Sequence, residues 1–274
     1  MDSIGKEKIE IDLLLESIFK RYGWDFRSYA RASIDRRVRN FMSKSGCTSI
    51  SEMIPKIIHD EEFFSGLARN FSVTVTEMFR DPFFYCSLRE NVVPLLRTWP
   101  HIKIWHAGCA TGEEVYSMAI ILKEEGLYER STIYATDFND ESLEKARAGV
   151  YEIPKLKEAT GSYNEAGGKG SFSEYYHACY DAVTMDPTLK ERIVFANHNL
   201  VSDSSFGEMH LIVCRNVLIY FDKELKDRAL GLFTESLVNG GLLCLGTKED
   251  LHFSSESNHY DAVDKKAKIF RKRG

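Results

Sequence analysis

The sequence contains no run of apolar residues approaching the roughly 20 that a membrane-crossing helix requires, and the charged N-terminal stretch with Lys6 and Lys8 is not followed by the apolar core of a secretory leader. Membrane insertion and export are therefore not expected. The six cysteines (Cys47, Cys86, Cys109, Cys179, Cys214, Cys244) never fall into the C-x-x-C spacing of zinc sites or dithiol redox centres. No metal centre or disulfide framework is expected, and scattered thiols suit a reducing cytoplasm. A surplus of positive charge is also missing. With 36 Lys+Arg against 41 Asp+Glu the formal charge is -5, which argues against a protein that holds nucleic acid by neutralising phosphates over its whole surface. No internal repeat runs through the 274 residues, and a 43% hydrophobic, 28% charged composition is that of a folded, water-soluble protein of one or two domains.

What is present changes character along the chain. From Ile9 to about Leu67 apolar residues recur at spacings of three and four (Ile11, Leu14, Leu15, Ile18, then Ile34, Val38, Phe41), which predicts a small helical bundle with Ser33 and Ser51 as helix caps. After Pro100 the pattern becomes strand, glycine turn, helix: Ile102 to His106, Gly108 to Gly112, then a helix that Gly126 can end. A second strand, Ser131 to Thr136, ends in Asp137 and leads to a helix closed by Gly149. The alternation predicts a doubly wound, mostly parallel sheet. Tyr151 to Arg192 breaks this rhythm as a glycine-loosened insertion, whose second half reads as a hairpin of Tyr176 to Met185 and Lys190 to Phe195 turning at Asp186-Pro187. The resulting expectation is a helical domain over 1–80, a linker over 81–99, and a ligand-binding α/β domain over 100–274 with a β-subdomain at about 168–195.

Gly108-Cys109-Ala110-Thr111-Gly112 stands between a predicted strand and a predicted helix, where small residues let the backbone approach a ligand. The three-glycine dinucleotide pattern is absent, and Glu113 and Glu114 follow, where two carboxylates would repel a pyrophosphate. They suit a ligand that carries positive charge, such as S-adenosylmethionine, or they merely complement the helix dipole. Asp137 lies where doubly wound nucleoside-binding folds place an acid for ribose hydroxyls; capping of the next helix is the alternative, which Asn139 or Asp140 could equally serve.

Five ordered segments, Thr74-Val-Thr-Glu-Met-Phe-Arg80-Asp81-Pro82, Trp105-His-Ala-Gly-Cys-Ala-Thr-Gly-Glu-Glu-Val-Tyr-Ser117, Ala135-Thr-Asp137, His198-Asn199-Leu200 and Cys214-Arg-Asn-Val-Leu-Ile-Tyr220-Phe221, resemble the signatures of the CheR-type chemotaxis receptor methyltransferases over nearly the whole chain. The resemblance implies a Rossmann-like class I methyltransferase domain, preceded by a small all-helical domain and carrying an inserted antiparallel β-subdomain. It implies S-adenosylmethionine as cofactor, S-adenosylhomocysteine as product, and conversion of chemoreceptor glutamates to methyl esters. Carried across, Thr74, Thr76 and Arg80 would serve the methionine end, Gly108 the close approach of the backbone, Glu113 or Glu114 the polar groups of the amino acid or nucleoside, and Asp137 the ribose. Asn199 and Leu200 would flank the adenine. Arg215 and Asn216 would line the crevice near the reacting methyl with Tyr220 facing it, and Phe79, Val115 and Val217 would supply apolar walls. For Arg80 a salt bridge, and for Tyr220 a buried tyrosine with one backbone partner, are the structural alternatives. Two positions depart from the family pattern: Thr74, where asparagine is frequent, and His106, where small residues are usual.

A glutamate side chain, with a reference pKa of about 4.3, is already ionised at neutral pH, so its methylation needs no general base. Alignment and exclusion of water should dominate such catalysis. Between Lys20 and Lys44 eight basic residues face only Asp25 and Asp35, and Arg36 and Arg39 fall on the outer face of the predicted second helix. In the resembled family the helical domain meets the glutamate-rich cytoplasmic helices of methyl-accepting chemoreceptors, which opposite charge would steer. The β-subdomain offers a second contact, to a receptor C-terminal peptide, but a hairpin as short as the one expected here favours recognition without that tether. No nucleic-acid partner is expected, and the chain is expected to act as a monomer. A non-catalytic adapter that senses S-adenosylmethionine, and a nicotinamide-dependent oxidoreductase, are the competing readings; the absent G-x-G-x-x-G and the Glu113-Glu114 pair weigh against the second.

Overall fold

Apolar spacing near the N-terminus becomes four helices: α1 (Ser3–Tyr22), α2 (Arg31–Ser45), α3 (Met53–His59) and α4 (Glu61–Phe71). The computed structural model describes residues 3–71, 76–252 and 254–274, and the chain divides into one unit of Met1–Val73 with Ile219–Arg228 and another of Thr74–Leu218 with Ala229–Gly274. In the first unit Ile11, Leu14, Leu15 and Ile18 of α1, Ile34 and Val38 of α2, Met53 and Ile57 of α3, and Phe64 and Leu67 of α4 are buried. Tyr22 stacks on Phe64 and donates its hydroxyl to the Ile57 carbonyl at 2.8 Å. The late segment Ile219–Arg228 belongs here because its backbone pairs locally. The Ala30 N–H donates to the Tyr220 carbonyl at 2.8 Å, and the Asp222 N–H to Ser28 at 3.0 Å.

Both expected serine caps are displaced. Ser33 lies inside α2, where its hydroxyl accepts from Arg37 Nε at 3.2 Å, and Ala30 precedes the helix. Ser51 donates to the Glu10 carboxylate at 2.6 Å, and Glu52 precedes α3. For Ser51 a partner distant in sequence claimed the hydroxyl, whereas for Ser33 the helix begins earlier than expected, at Arg31, and Arg37 lies one turn on in the same helix. Arg37 likewise turns inward, donating to the Asn70 and Phe71 carbonyls at the end of α4 at 2.9 and 3.0 Å. Arg36 and Arg39 remain exposed.

The second unit opens with α5 (Pro82–Ser87), a π-helical turn and α6 (Val93–Leu96). The expected alternation follows as β1 (Ile102–Ala107), α7 (Glu113–Glu124), β2 (Ser131–Asp137) and α8 (Asp140–Ala148), with Asn139 capping α8 by accepting from the Ser142 N–H at 3.2 Å. Next come β3 (Val150–Glu152), α9 (Ile153–Glu165), β4 (Tyr176–Cys179), β5 (Ala182–Met185), β6 (Ile193–Asn197), β7 (Met209–Cys214), α10 (Lys223–Ser236), β8 (Leu237–Leu245), β9 (Tyr260–Asp264) and β10 (Ile269–Lys272). Seven strands form one sheet in the order β6-β2-β1-β7-β8-β10-β9. The first five run parallel, and β10 and β9 close the edge antiparallel. α7 is buried at nearly every position from Glu113 to Leu122, which explains its continuous apolar run Met118 to Leu122.

The insertion departs from expectation in two ways. α9 is regular, with Pro154 in its first turn and Leu156, Ala159 and Tyr163 buried at helical spacing. The hairpin turns between β4 and β5 at Tyr180-Asp181, not at Asp186-Pro187. Asp186 instead caps a short 3-10 turn by accepting from the Thr188 N–H at 2.9 Å, with Pro187 in its first position. The small sheet is therefore β3-β5-β4, and β6, expected as the second arm of the hairpin, pairs parallel with β2 in the main sheet. An Asp-Pro pair serves a helix start as readily as a turn, and only β2 decides where Ile193 to Asn197 pairs. Among the described residues no helix is long and apolar enough to cross a membrane.

Candidate cofactor site

At the carboxyl end of β1 the chain makes a turn pinned to the end of β2. The Thr136 carbonyl accepts from the Gly108 and Cys109 N–H groups at 2.8 and 2.9 Å. The Asp137 carboxylate accepts from the Ala110 N–H at 2.9 Å with one oxygen and from Asn139 at 3.0 Å with the other. Gly108, Ala110 and Gly112 all have positive φ. At Gly108, φ is +78°, and an added Cβ would stand 2.6 Å from Val217 Cγ2, so both conformation and space demand glycine. Ala110 occupies the left-handed region at a cost of about 1–2 kcal/mol, offset by its bond to Asp137.

Asp137 thus organises the turn and still has lone pairs for further donors. Burial pushes its carboxyl up from the ordinary carboxylate range, while the N–H groups of Asn139 and Ala110 pull the other way. The His198 N–H donates to the Asp137 carbonyl at 3.2 Å, bringing Asn199 and Leu200 to the same strand ends. Asn199 is occupied locally: its side-chain oxygen accepts from the Val201 N–H, and its own N–H donates to Asp203, both at 2.9 Å. Leu200 is buried beside it.

The two adjacent glutamates have separate surroundings. Glu113 is buried, accepts from the Thr111 hydroxyl at 2.7 Å, and has its carboxyl pushed up by burial. Glu114 meets His106 Nδ1 at 3.2 Å with one oxygen and accepts from Arg215 at 2.9 Å with the other. Burial alone would raise its pKa, but the contacts with His106 and Arg215 outweigh it and hold the carboxyl below its usual value.

Arg215, at the end of β7, is almost wholly enclosed. One terminal nitrogen reaches Glu114, the other reaches Asp81 at 2.7 Å, both approach the Arg80 carbonyl at 3.3 and 3.4 Å, and the guanidinium lies 4.0 Å from the centre of the Phe84 ring. Asn216 has a left-handed backbone and donates its N–H to Glu249 at 3.0 Å, and the same carboxylate oxygen accepts from the Gly246 N–H at 2.6 Å. Arg80 is half-buried, with Nε 3.6 Å from Glu77. Thr76 is half-buried, and Thr74 lies outside the described residues. Tyr220 belongs to the helical unit, where the Arg37 guanidinium stands 5.4 Å from its ring centre.

Gly108, Glu113, Glu114, Asp137, Asn199, Leu200, Arg215 and Asn216 therefore gather where the parallel strands end, as a doubly wound sheet dictates for ligand sites. Phe79 and Val115, expected as crevice walls, are instead wholly enclosed. The Phe79 ring packs edge-on against Tyr85, Tyr163 and Phe172. Sequence reasoning missed Asp81, whose place before Pro82 reads only as a helix start, and Glu249, which lies 33 residues from its partner Asn216.

A buried carboxylate at the helix start and an acid at the end of β2 fit a nucleoside with a cationic tail better than a pyrophosphate. The chemistry is that of an S-adenosylmethionine-dependent methyltransferase built on the doubly wound class I fold. Residues 74–269 match the family model described as CheR methyltransferase, SAM binding domain, and residues 9–72 match that described as CheR methyltransferase, all-alpha domain. The chain belongs to the CheR methyltransferase family, and its cofactor is S-adenosylmethionine. It is 49% identical to Cher3 of Pseudomonas putida, a protein provisionally named as a methyltransferase, across 99% of this chain and 100% of that one. It is also 29% identical to the chemotaxis protein methyltransferase of Listeria innocua (84% of this chain, 85% of that one) and 28% identical to chemotaxis protein methyltransferase 1 of Pseudomonas aeruginosa (84% and 85%). Among solved structures, the N-methyltransferase NodS of Bradyrhizobium japonicum with S-adenosyl-l-homocysteine is similar at a TM-score of 0.40 and 15% identity, over 72% of this chain and 89% of that one.

Proposed function

We propose that the protein methylates glutamate side chains on the cytoplasmic helices of methyl-accepting chemoreceptors. S-adenosylmethionine, when bound, supplies an electrophilic methyl on a positively charged sulfur. In this reading Asp137 accepts from the ribose hydroxyls, Asn199 and Leu200 border the adenine, Thr74, Thr76 and Arg80 serve the methionine end, and Glu113 or Glu114 the polar groups of the amino acid or nucleoside. Arg215 and Asn216 border the transfer position. Because both terminal nitrogens of Arg215 are held by Glu114, Asp81 and the Arg80 carbonyl, its contribution is to fix these walls in place. The acceptor carboxylate arrives ionised, so what remains for the chain is to orient it and exclude water.

The observation that carries the reading is the joint match of both family models, over the α/β and helical parts, to a family whose relatives are named chemotaxis protein methyltransferases. Exposed Arg36 on α2, with exposed Arg39 beside it paired to Glu7, supports an acidic helical partner. The test is transfer of labelled methyl groups to receptor cytoplasmic fragments, read as base-labile esters on glutamates by mass spectrometry, with Asp137→Ala as control. The expected result is ester formation by the parent protein. For Asp137→Ala, S-adenosylhomocysteine affinity should fall about 10- to 100-fold or more, since hydrogen bonds to a charged acceptor are lost. Tight cofactor binding with no ester on any receptor fragment would instead favour the adapter reading.

A further inference from the structure

Four polar side chains run in series behind the crevice. His106 sits on β1, at the centre of the sheet, with its backbone paired opposite Ala135 on one side and Val213 on the other. Its side chain is 1% exposed, so the ring has little freedom of its own. Its Nδ1 lies 3.2 Å from Glu114 Oε1, while Glu114 Oε2 accepts from Arg215, whose other terminal nitrogen reaches Asp81.

We propose that His106 is a positioning residue of the cofactor crevice: it orients Glu114, and through Glu114 it fixes Arg215 and the backbone corner that carries Arg80. The proposal rests on the reading of this crevice as the S-adenosylmethionine site. An ionised carboxylate only accepts hydrogen bonds, so the proton in the His106–Glu114 contact resides on Nδ1. With His106 on one oxygen and Arg215 on the other, the Glu114 carboxylate cannot rotate without breaking a bond. Arg215 in turn holds the Arg80 carbonyl, and the residues on either side of Arg80 need that restraint. Phe79 and Asp81 both lie in the left-handed region, at φ 55° and 57°, which non-glycine residues occupy only where the surroundings over-determine them. Removing the His106 donor frees one end of the chain of contacts that secures this corner.

The alternative is that the imidazole only fills space in the sheet, and substitution separates the two. Asparagine places an amide N–H near the position of Nδ1, glutamine places it farther out, and leucine has no donor. Calorimetric titration with S-adenosylhomocysteine is made on the parent, His106→Asn, His106→Gln and His106→Leu, each with a thermal melt to establish folding. Asparagine should bind within about threefold of the parent, whereas glutamine and leucine should weaken binding about 10- to 100-fold, the range for a lost hydrogen bond to a charged group. Parent-like binding by the glutamine and leucine variants overturns the proposal, as does a loss in asparagine equal to that in glutamine. If leucine does not fold, the asparagine and glutamine pair decides. Failure of the parent to bind S-adenosylhomocysteine is a different result, which refutes the cofactor reading itself.

Discussion

Arg215→Met removes the cation between Glu114 and Asp81 while keeping a long side chain over the Phe84 ring. Deleting one partner of a buried ion pair costs about 3–5 kcal/mol, because the remaining charge is left uncompensated. Here the arginine side chain is 1% exposed, but Glu114 is 17% and Asp81 28% exposed, so water screens part of the penalty and the lower figure of about 3 kcal/mol applies. For a unit of this size each kcal/mol moves the midpoint by about 2–4 °C, so Tm should fall by roughly 6–12 °C at pH 7. The pH dependence has a definite sign. In the parent, Glu114 is held below 4.5; its stabilisation is present above the unfolded value and is lost only as pH falls through the lower folded one. In the variant, burial is opposed only by His106, so the carboxyl should move up. Its penalty, present at pH 7, is then relieved as pH falls toward 5. Scanning calorimetry of both proteins at pH 7, 6 and 5 should show the Tm gap narrowing with acid. A gap under about 2 °C at pH 7, or one that stays constant or widens down to pH 5, would refute the electrostatic account.

Two further sets of substitutions test separate parts of the molecule. Gly108→Ala drives a Cβ toward Val217 in a left-handed backbone and should cost about 1–2 kcal/mol from conformation alone, with more from the clash; adding Val217→Ala should restore the clash component and leave the conformational one, read by thermal melts of the single and double variants. Reversing charge on α2 with Arg36→Glu and Arg39→Glu should leave S-adenosylhomocysteine affinity unchanged and slow receptor methylation about tenfold or more at low ionic strength, with the gap narrowing as salt rises; equal slowing at all salt concentrations would remove electrostatic steering from the account.

Much of the fold is local, and local order was legible. The strand-turn-helix text around Gly108 predicts β1, the turn and α7, because the positive φ of Gly108 and Gly112 and the apolar run from Met118 to Leu122 are constraints that neighbouring residues impose. Asp137 could be placed for the same reason, since the end of a strand beside a glycine turn is a position fixed by connectivity. The basic face of α2 followed from helical periodicity, which separates exposed Arg36 and Arg39 from buried Ile34 and Val38.

The remaining features depended on partners distant in sequence. Asp186-Pro187 satisfies the local rules for a turn and for a helix start, and pairing of Ile193 to Asn197 with β2 selected the second. Ser51 is a competent cap whose hydroxyl found a tertiary partner in Glu10, while Ser33 lies within α2 and meets Arg37 one turn on. Tyr220 and Phe221 fall in a segment that the helical unit captures through Ser28 and Ala30. The series His106–Glu114–Arg215–Asp81 draws on four separate segments of the chain, and hydrogen bonds between side chains 8 to 134 residues apart leave no periodicity to read. By itself the sequence determined the doubly wound frame, the glycine turn, Asp137 and the family. The tertiary structure alone decided which side chains clasp one another behind that turn, because such contacts exist only once the sheet has brought its strand ends together.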